Sequence, residues 1–130
     1  TKLPLRLISM GNPLDISKTA REVRKVLLAE LGPEIECHPS FPHRVNFEVV
    51  NIVSRNQIAA RIWERGVGET LSCGSGACAI AVAARLCDYV TSPVDIILPG
   101  GTLSVEWDGK GEVLLTGPVE EVFTGEWPKE

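Results

Sequence analysis

A glycine-rich turn that runs directly into a helix of small apolar residues is the feature that most restricts the fold of this chain. The sequence CGSGACAIAVAARL occupies residues 73–86, and its second half is small and apolar on every side. A helix that is apolar all round has to be buried all round. The segment therefore predicts a central helix enclosed by a sheet or barrel, with Cys73 at the helix start.

Short β-rich runs supply the sheet that would enclose this helix. Residues 45–53 and 57–64 are joined by three residues, a length suited to a hairpin, and residues 3–8 predict a first strand. Glycine and proline turns separate the C-terminal strands of a β-meander, predicted at residues 94–98, 102–107, 112–116 and 120–123. The predicted fold class is α+β, one domain of residues 1–130 with a mixed, curled, barrel-like sheet wrapped around a central helix.

A second helix is predicted over residues 17–31. Its apolar residues fall at near-helical spacing between Val23 and Leu31, with Ser17 as the N-cap and Gly32-Pro33 as the stop. A strand through residues 23–28 is the alternative that this pattern leaves open. Residues 32–44 contain three prolines and predict an irregular, ordered surface segment.

Charge and composition exclude several classes of function. The net charge is −4, from 13 basic and 17 acidic residues, and no basic run favours nucleic acid or an anionic membrane as a partner. The longest apolar run, residues 77–84, is too short to cross a bilayer, and the N-terminus has no signal-peptide pattern. Four cysteines are too few for a disulfide scaffold, so reduced thiols and a cytoplasmic location are expected.

Glu64 is a functional candidate because of its place in the second hairpin strand. Ile58, Ala60 and Ile62 share one face of that strand, and the same period places Glu64 at the end of this apolar stripe. A carboxylate there has to find donors or have its pKa raised. The alternative, which periodicity alone leaves equally open, is a strand end where Glu64 turns to solvent.

Cys73 is the second candidate because it stands where a glycine turn becomes a helix. Unpaired N–H groups and the positive end of the helix dipole both favour a thiolate there, which predicts a lowered pKa for the Cys73 thiol. The N–H groups of Gly74 and Ser75 are suited to holding a carboxylate. In the alternative reading, Gly74 and Gly76 only permit tight packing and Cys73 is an inert small residue.

Three other motifs compete with this interpretation. Residues 74–79 match a Gly-x-Gly-x-x-Ala dinucleotide pattern, but the preceding strand ends near Glu64, too far away for that fingerprint. A zinc set of Cys37, His38, Cys73 and Cys78 has irregular spacing, so no metal site is predicted. A hydrolase that pairs Cys73 with His38 or His43 is the best rival enzyme.

Residues 63–79, WERGVGETLSCGSGACA, closely resemble the second active-site segment of diaminopimelate epimerase, a cofactor-independent enzyme that inverts one α-carbon of diaminopimelate. The resemblance continues, in the same order, through residues 9–13, 38–46, 98–101 and 116–118. It implies a fold of two similar halves, each with a catalytic cysteine at the start of its central helix. This chain resembles the C-terminal half. The absence of the family's first cysteine segment, and a start at Thr1 in a predicted strand, agree with that.

The resemblance implies a role for each matched residue. Cys73 would be one of the two bases, Glu64 its proton partner, and the N–H groups of Gly74 and Ser75 the holders of the α-carboxylate. The distal groups of the substrate would be recognised by three further residues, Asn12, Asn46 and Arg65. Leu14 departs from the family, which has a histidine there, and residues 15–31 fit the family's usual strand poorly.

The sequence thus predicts half of an isomerase for lysine and peptidoglycan precursor synthesis that needs no cofactor. Its partners would be diaminopimelate and the N-terminal half of the same enzyme. The chain alone is expected to be nearly inactive and, by exposing apolar surface, to self-associate into a homo-oligomer. Two alternatives stay open, the cysteine hydrolase and a non-catalytic domain of the same fold.

Overall fold

The computed structural model of the chain describes residues 5–9, 13–18 and 22–129. Side chains are described for residue 18 and for residues 22–129. The described helices are a short 3-10 helix at Val23–Lys25, α1 (Leu28–Glu36) and α2 (Gly74–Leu86). The described strands are β1 (Leu5–Ser9), β2 (Pro13–Lys18), β3 (Asn46–Ser54), β4 (Gln57–Glu64), β5 (Gly68–Thr70), β6 (Val94–Leu98), β7 (Gly101–Glu106) and β8 (Leu114–Thr116).

The strands form one mixed sheet in the order β1-β2-β3-β4-β6-β7-β8, with β5 beside the end of β4. Two neighbouring pairs, β2 with β3 and β4 with β6, are parallel, and the remaining pairs are antiparallel. Within the described residues no pairing joins β1 to β8, so the sheet is open. The predicted mixed sheet is confirmed.

The sheet curls around α2, as the all-apolar helix predicted. Strands at both ends of the sheet, β1 and β8, contact α2, and every residue from Gly76 to Ala84 is buried. Inward-facing residues of the strands complete this core; those with almost no exposure are Ile58, Ala60, Ile62, Val94, Ile96 and Val105. Because the helix is built mainly from alanine and glycine, the strands can approach it closely.

The outer face of the sheet carries a second, smaller core beneath α1. Leu28 of α1 is buried there together with Phe47 and Val49 of β3, and Trp63 of β4 packs against them. Gly32 is buried under the Trp63 indole ring, and a side chain at Gly32 would overlap that ring. The sheet is therefore covered on both faces, by α2 inside and by α1 outside.

The predicted helix over residues 17–31 is wrong. Ser17 belongs to β2, which pairs with β1 on one side and β3 on the other, and α1 begins only at Leu28. The alternation of Leu14 and Ile16 with Asp15 and Ser17 has the period of a strand, and pairing on both sides outweighs the later helical spacing. The sequence of residues 15–31 fits the family's usual strand poorly, yet the structure has a strand at Pro13–Lys18.

The predicted stop at Gly32-Pro33 and the irregular segment from residue 32 are also wrong, since α1 runs through both residues to Glu36. Pro33 removes one N–H from the helix. The outer core outweighs that loss, because Leu28, Leu31 and Ile35 all pack into it. The apolar spacing between Val23 and Leu31 correctly predicted buried and partly buried positions, but it did not predict the bounds of the helix that carries them.

The hairpin of β3 and β4 and the strands β6 to β8 confirm the remaining sheet predictions to within two residues at each end. One strand is wrong: residues 120–123, like the rest of 117–129, form no helix or strand. Their apolar side chains are almost fully exposed, with 96% of Val119, 84% of Phe123 and 92% of Trp127 accessible. A strand has no stable place there without a neighbour to pair with.

Candidate active site

Cys73 is the N-cap of α2, as predicted. Its extended backbone leads into the helix at Gly74, and its sulfur accepts a hydrogen bond from the N–H of Gly76 over 3.4 Å. The hydroxyl of Ser75 lies 3.5 Å from the same sulfur. Cys73 is free and half-buried, so its thiol reaches the surface of the site while its backbone is fixed by the helix.

The first turn of α2 offers two donors next to that sulfur. The N–H of Gly76 is taken by Cys73 Sγ, and the N–H of Ala77 by the Cys73 carbonyl. A helix start leaves its first N–H groups without intrahelical acceptors, which here are those of Gly74 and Ser75. Both residues are half-buried. The turn is therefore built to receive an anion beside a thiol.

Glu64 ends β4 on the inner face of the sheet, in step with the buried Ile58, Ala60 and Ile62. It is half-buried, and its carbonyl accepts from the N–H of Val67 in the turn that follows. The predicted stripe is present and Glu64 terminates it. Its role as the proton partner of Cys73 remains a proposal.

Glu48 is an inner-face carboxylate that the sequence analysis missed. It pairs with Ile62 across β3 and β4, lies on the same face as Val50, and is completely buried. The alternation that singled out Glu64 on β4 also applies to β3, where Asn46, Glu48 and Val50 share one face. This alternation was present in the sequence, but the run of mostly β-branched residues after Glu48 made it hard to recognise.

The turn from β4 to β5 is held by side chains from two other elements. Asn46 Oδ1 accepts from the N–H of Arg65 over 2.6 Å, and Glu36 Oε1, at the end of α1, accepts from the N–H of Gly66 over 2.7 Å. Asn46 and Glu36 are both buried, and Gly66 has a φ of 75° that favours glycine. Both side chains thus hold the turn that places Arg65.

The predicted binding residues Asn46 and Arg65 are thus brought together, whereas Asn12 lies outside the described residues. The Arg65 guanidinium is exposed and donates from Nη1 to the carbonyl of His43 over 3.2 Å. Asn46 accepts with its side-chain oxygen from Arg65, and its amide nitrogen is a donor. Leu14 lies on β2, without a described side chain.

Gly100 anchors the segment that precedes Cys73. Its N–H donates to the carbonyl of Leu71 over 2.8 Å, and a Cβ on Gly100 would lie 2.9 Å from that same oxygen. Only glycine allows so close an approach of backbone to backbone. The β6 to β7 turn therefore fixes the chain two residues before the candidate base.

An ion pair joins β4 to β5 on the outer side. Arg61 donates from Nε and Nη2 to the two carboxylate oxygens of Glu69 over 2.6 and 2.8 Å, and from Nη1 to the carbonyls of Val23 and Val26. The hydrogen bonds from Arg61, more than its charge, hold the pKa of Glu69 below the usual range. The hydrogen bond to Glu69 in turn raises the pKa of Arg61. This fork stabilises the strand that follows the Arg65 turn.

The other three cysteines lie in the inner core or at helix ends. Cys78 is buried in the inner core, and its burial, with the nearby Cys73 as a smaller cause, raises the pKa of its thiol. Cys37 is exposed at the end of α1, and Cys87 is half-buried at the end of α2. Among the residues with described side chains, no cluster of three His, Cys, Asp or Glu is arranged to hold a metal ion.

Neither histidine of the rival hydrolase reading contacts Cys73 in the described structure. His38 and His43 are both exposed in the loop between α1 and β3, and His38 Nδ1 accepts from the N–H of Ser40. The partners of the Cys73 sulfur are instead the N–H of Gly76 and the hydroxyl of Ser75. No helix within the ranges that the structure describes is long and apolar enough to span a bilayer.

The fold is similar to that of solved proteins of the phenazine biosynthesis PhzF family. A Bacillus anthracis protein of that family matches 87% of this chain and 38% of its own, with a TM-score of 0.57 and 18% identity. A putative phenazine biosynthesis PhzC/PhzF protein of Clostridium difficile matches 82% of this chain and 40% of its own, with a TM-score of 0.57 and 20% identity. The α+β class, with its sheet curled around a helix, is shared with these proteins.

Sequence comparison identifies the family. The family model described as diaminopimelate epimerase matches residues 6–122. A diaminopimelate epimerase of Pseudomonas entomophila is 52% identical over 92% of this chain, and one of Stutzerimonas stutzeri is 48% identical over 96%. This chain belongs to the diaminopimelate epimerase family. It spans about half the length of these relatives, 43% of the first and 45% of the second.

Proposed function

We propose that this chain provides one catalytic half of a cofactor-independent amino-acid epimerase that interconverts LL- and meso-diaminopimelate. The observation that carries the proposal is the geometry of Cys73, a half-buried free thiol at the first turn of a buried helix, beside the N–H groups of Gly74 and Ser75. Family membership supplies the reaction class. Lysine and peptidoglycan precursor synthesis, in the cytoplasm, is the corresponding biological setting.

The reaction needs two bases on opposite faces of one carbon. The Cys73 thiolate removes the proton from the α-carbon, so its S–H bond forms as the C–H bond breaks and the electron pair stays on carbon. A thiol on the other face then delivers its own proton to that carbon, which inverts the centre. Cys73 ends as a thiol and the opposing cysteine as a thiolate. Glu64 returns the Cys73 proton to solvent between turnovers.

The substrate is held at both of its ends. The N–H groups of Gly74 and Ser75 bind the α-carboxylate, where the helix dipole also favours negative charge. Asn46 and Arg65 receive the distal amino and carboxyl groups, together with Asn12. The support for this is the preformed turn, in which Asn46 fixes the backbone of Arg65 over 2.6 Å. A guanidinium matches a carboxylate with two parallel hydrogen bonds.

The opposing thiol would come from the part of the longer relatives that this chain does not match, which we take to be an N-terminal half. Cys78 is unsuited to that role because it is buried in the inner core on the same helix as Cys73. The exposed apolar side chains of residues 117–129, among them Val119, Phe123 and Trp127, are the kind of surface that a partner domain covers. The chain alone would therefore be inactive. Two or more copies would associate through this apolar surface, which a partner domain would otherwise cover.

The test is exchange of the α-proton of diaminopimelate in heavy water, followed by NMR. The chain alone is compared with a chimaera in which it replaces the matching region of the Pseudomonas entomophila relative. We expect rapid exchange by the chimaera and almost none by the chain alone. Rapid exchange by the chain alone would contradict the proposal that two halves, each with one cysteine, are needed for catalysis.

A matched control separates catalysis from folding. The chimaera with Cys73→Ser replaces the N-cap sulfur with a hydroxyl oxygen that can accept the same hydrogen bond, so it should fold normally. It should nevertheless lose exchange from the face that Cys73 serves. If the Cys73→Ser chimaera folds and exchanges the proton as fast as the unmodified chimaera, this domain would have a non-catalytic role. Covalent trapping of Cys73 by an acylating substrate would instead favour the hydrolase.

A further inference from the structure

Leu115 is an apolar side chain on the inner face of the sheet that the proposed mechanism does not use. It lies on β8, the last strand at one end of the described sheet, and 43% of its surface is accessible. Its register partner is Val105 of β7, which is buried in the inner core. Because the two residues of a register pair carry their side chains on the same face, Leu115 points to the side of the sheet that holds α2.

The side chain of Leu115 lies against the first turn of α2. A Cβ built on Gly74 would be 3.0 Å from Leu115 Cδ2, which is closer than the optimal distance between two carbon atoms. The methyl group of Leu115 therefore fills the side of Gly74 on which another residue would carry its side chain. The N–H of Gly74 is one of the donors that the helix start leaves without an intrahelical acceptor. An apolar wall thus stands beside the proposed carboxylate-binding turn.

The neighbouring Leu114 has a similar exposure but a different location. It is 55% accessible, and its register partner is Glu106, an exposed residue of β7 with which it lines a surface cleft. Successive side chains of a strand point to opposite faces, so Leu114 lies on the outer side of the sheet. The two leucines are therefore a natural matched pair, one beside the helix start and one on the opposite face.

We propose that Leu115 is a substrate-contacting residue that shields the α-carboxylate of the substrate from water. The inference rests on the proposed function, which places this carboxylate on the N–H groups of Gly74 and Ser75. An apolar side chain beside these donors lowers the local dielectric constant, which strengthens their hydrogen bonds to a charged group. The bound substrate in turn covers part of the Leu115 surface that the fold leaves accessible.

The shielding acts mainly on the chemical step. As the α-proton moves to Cys73 and the C–H bond breaks, the electron pair left on the carbon spreads onto the adjoining carboxylate, so the negative charge there increases in the transition state. Donors in a site without water stabilise this additional charge better than donors that water also reaches. Removal of the Leu115 side chain should therefore lower kcat more than it raises KM.

The test compares the kinetic constants of epimerisation for variants of the two leucines in the chimaera. Leu115→Ala should lower kcat about tenfold, which is less than the loss expected when a whole oxyanion donor is removed. Leu115→Met, which stays apolar and has a similar volume, should restore most of that loss. Leu114→Ala removes the same atoms on the outer face and should leave kcat and KM unchanged. Urea denaturation shows whether each variant is folded.

A second pair of variants tests the position of Leu115 through charge. Leu115→Asp places a carboxylate beside Gly74, where it should repel the carboxylate of the substrate and raise KM. Leu114→Asp places the same charge on the outer face and should leave KM unchanged.

Two outcomes in an active chimaera would overturn the inference: equal kinetic constants for the Leu115 and Leu114 variants, or a Leu115→Met variant no faster than Leu115→Ala. If Leu115→Ala does not fold, Leu115→Val takes its place with the same expectation, because valine has no δ-methyl group to contact Gly74. An unmodified chimaera that folds but does not epimerise diaminopimelate would count against the proposed function itself.

Discussion

Two glycine-containing turns, only a few residues apart in sequence, differ in where their backbone donors are directed. The turn at residues 65–67 has three successive N–H groups satisfied within the protein, by Asn46 Oδ1, Glu36 Oε1 and the Glu64 carbonyl. In the turn at residues 73–76, Cys73 Sγ accepts from the N–H of Gly76, and the N–H groups of Gly74 and Ser75 have no intrahelical acceptor. Similar composition thus produces one turn closed by internal acceptors and one turn that keeps helix-start donors.

The largest effect should come from the turn that contains Cys73. Cys73→Ser in the chimaera should reduce epimerisation by about 10²- to 10⁴-fold, because a hydroxyl is a far weaker base than a thiolate. The free energy of unfolding should stay within about 0.5 kcal/mol, since serine also caps helices. Coupled epimerase assays and urea denaturation measure the two quantities. A large loss of stability would show that Cys73 has a structural role in the fold.

Filling the space at Gly76 should have the next largest effect. In Gly76→Val the new side chain would overlap Ile62, whose Cδ1 lies 2.7 Å from the Cβ position. The unfolding free energy should fall by about 3 kcal/mol, as for other overpacked cores. Gly125→Val, where the nearest atom is 3.9 Å away in the exposed C-terminal segment, should change it little. Equal stability of the two variants would contradict the close packing of α2.

Breaking the internally satisfied turn should cost less. Glu36→Ala removes the acceptor of the Gly66 N–H and leaves a donor unpaired, which should lower the unfolding free energy by about 1–2 kcal/mol. In the chimaera, KM should rise more than kcat falls, because Arg65 is next to the loosened residue. Glu34→Ala, at an exposed position on the same helix, is the control. A change in kcat alone would argue against a binding role for this turn.

The smallest effect concerns the Arg61 and Glu69 pair. Because hydrogen bonds from Arg61 lower the pKa of Glu69, the pair stabilises the fold above the unfolded pKa, near 4.5, and this contribution is lost as pH falls through the lower folded value. Both side chains are partly exposed, so the contribution should stay below about 1 kcal/mol at neutral pH.

Urea denaturation at pH 7 and at pH 3 measures that contribution. The loss of stability between the two pH values should be smaller in Glu69→Gln than in the unmodified chain. Glu120→Gln, exposed in the C-terminal segment, should behave like the unmodified chain. An unchanged pH dependence in Glu69→Gln would show that the ion pair adds nothing to stability.

The parts of the fold that could be predicted are those where local pattern and burial agree. Residues 74–86 are apolar on every side, and alternation along β4 gave both the strand and the position of Glu64. The start of α2 at the glycine turn followed from the same sequence, and with it the Cys73 cap.

The parts that failed depend on contacts distant in sequence. The pairing of β2 with β3 joins residues about 32 positions apart, from Leu14 with Asn46 to Lys18 with Val50, and it overrides the helical spacing that follows. Pro33 is tolerated inside α1 because Trp63 and Phe47 bury that helix, which no local rule for proline includes. Glu36 reaches the Gly66 N–H across 30 residues, so its part in the site was invisible to motif reading.

The hydrogen bond from Gly100 to Leu71, together with the parallel pairing of β4 and β6, has a consequence for the order in which a nascent chain matures. The centre of the sheet joins residues 57–59 to 95–97, and the N–H of Gly100 holds the carbonyl of Leu71, two residues before Cys73. A chain that still lacks residues 94–101 therefore has neither the strand that pairs with β4 on that side nor the donor to the Leu71 carbonyl. The thiol acquires its final surroundings only once the β6 to β7 hairpin has emerged from the exit tunnel.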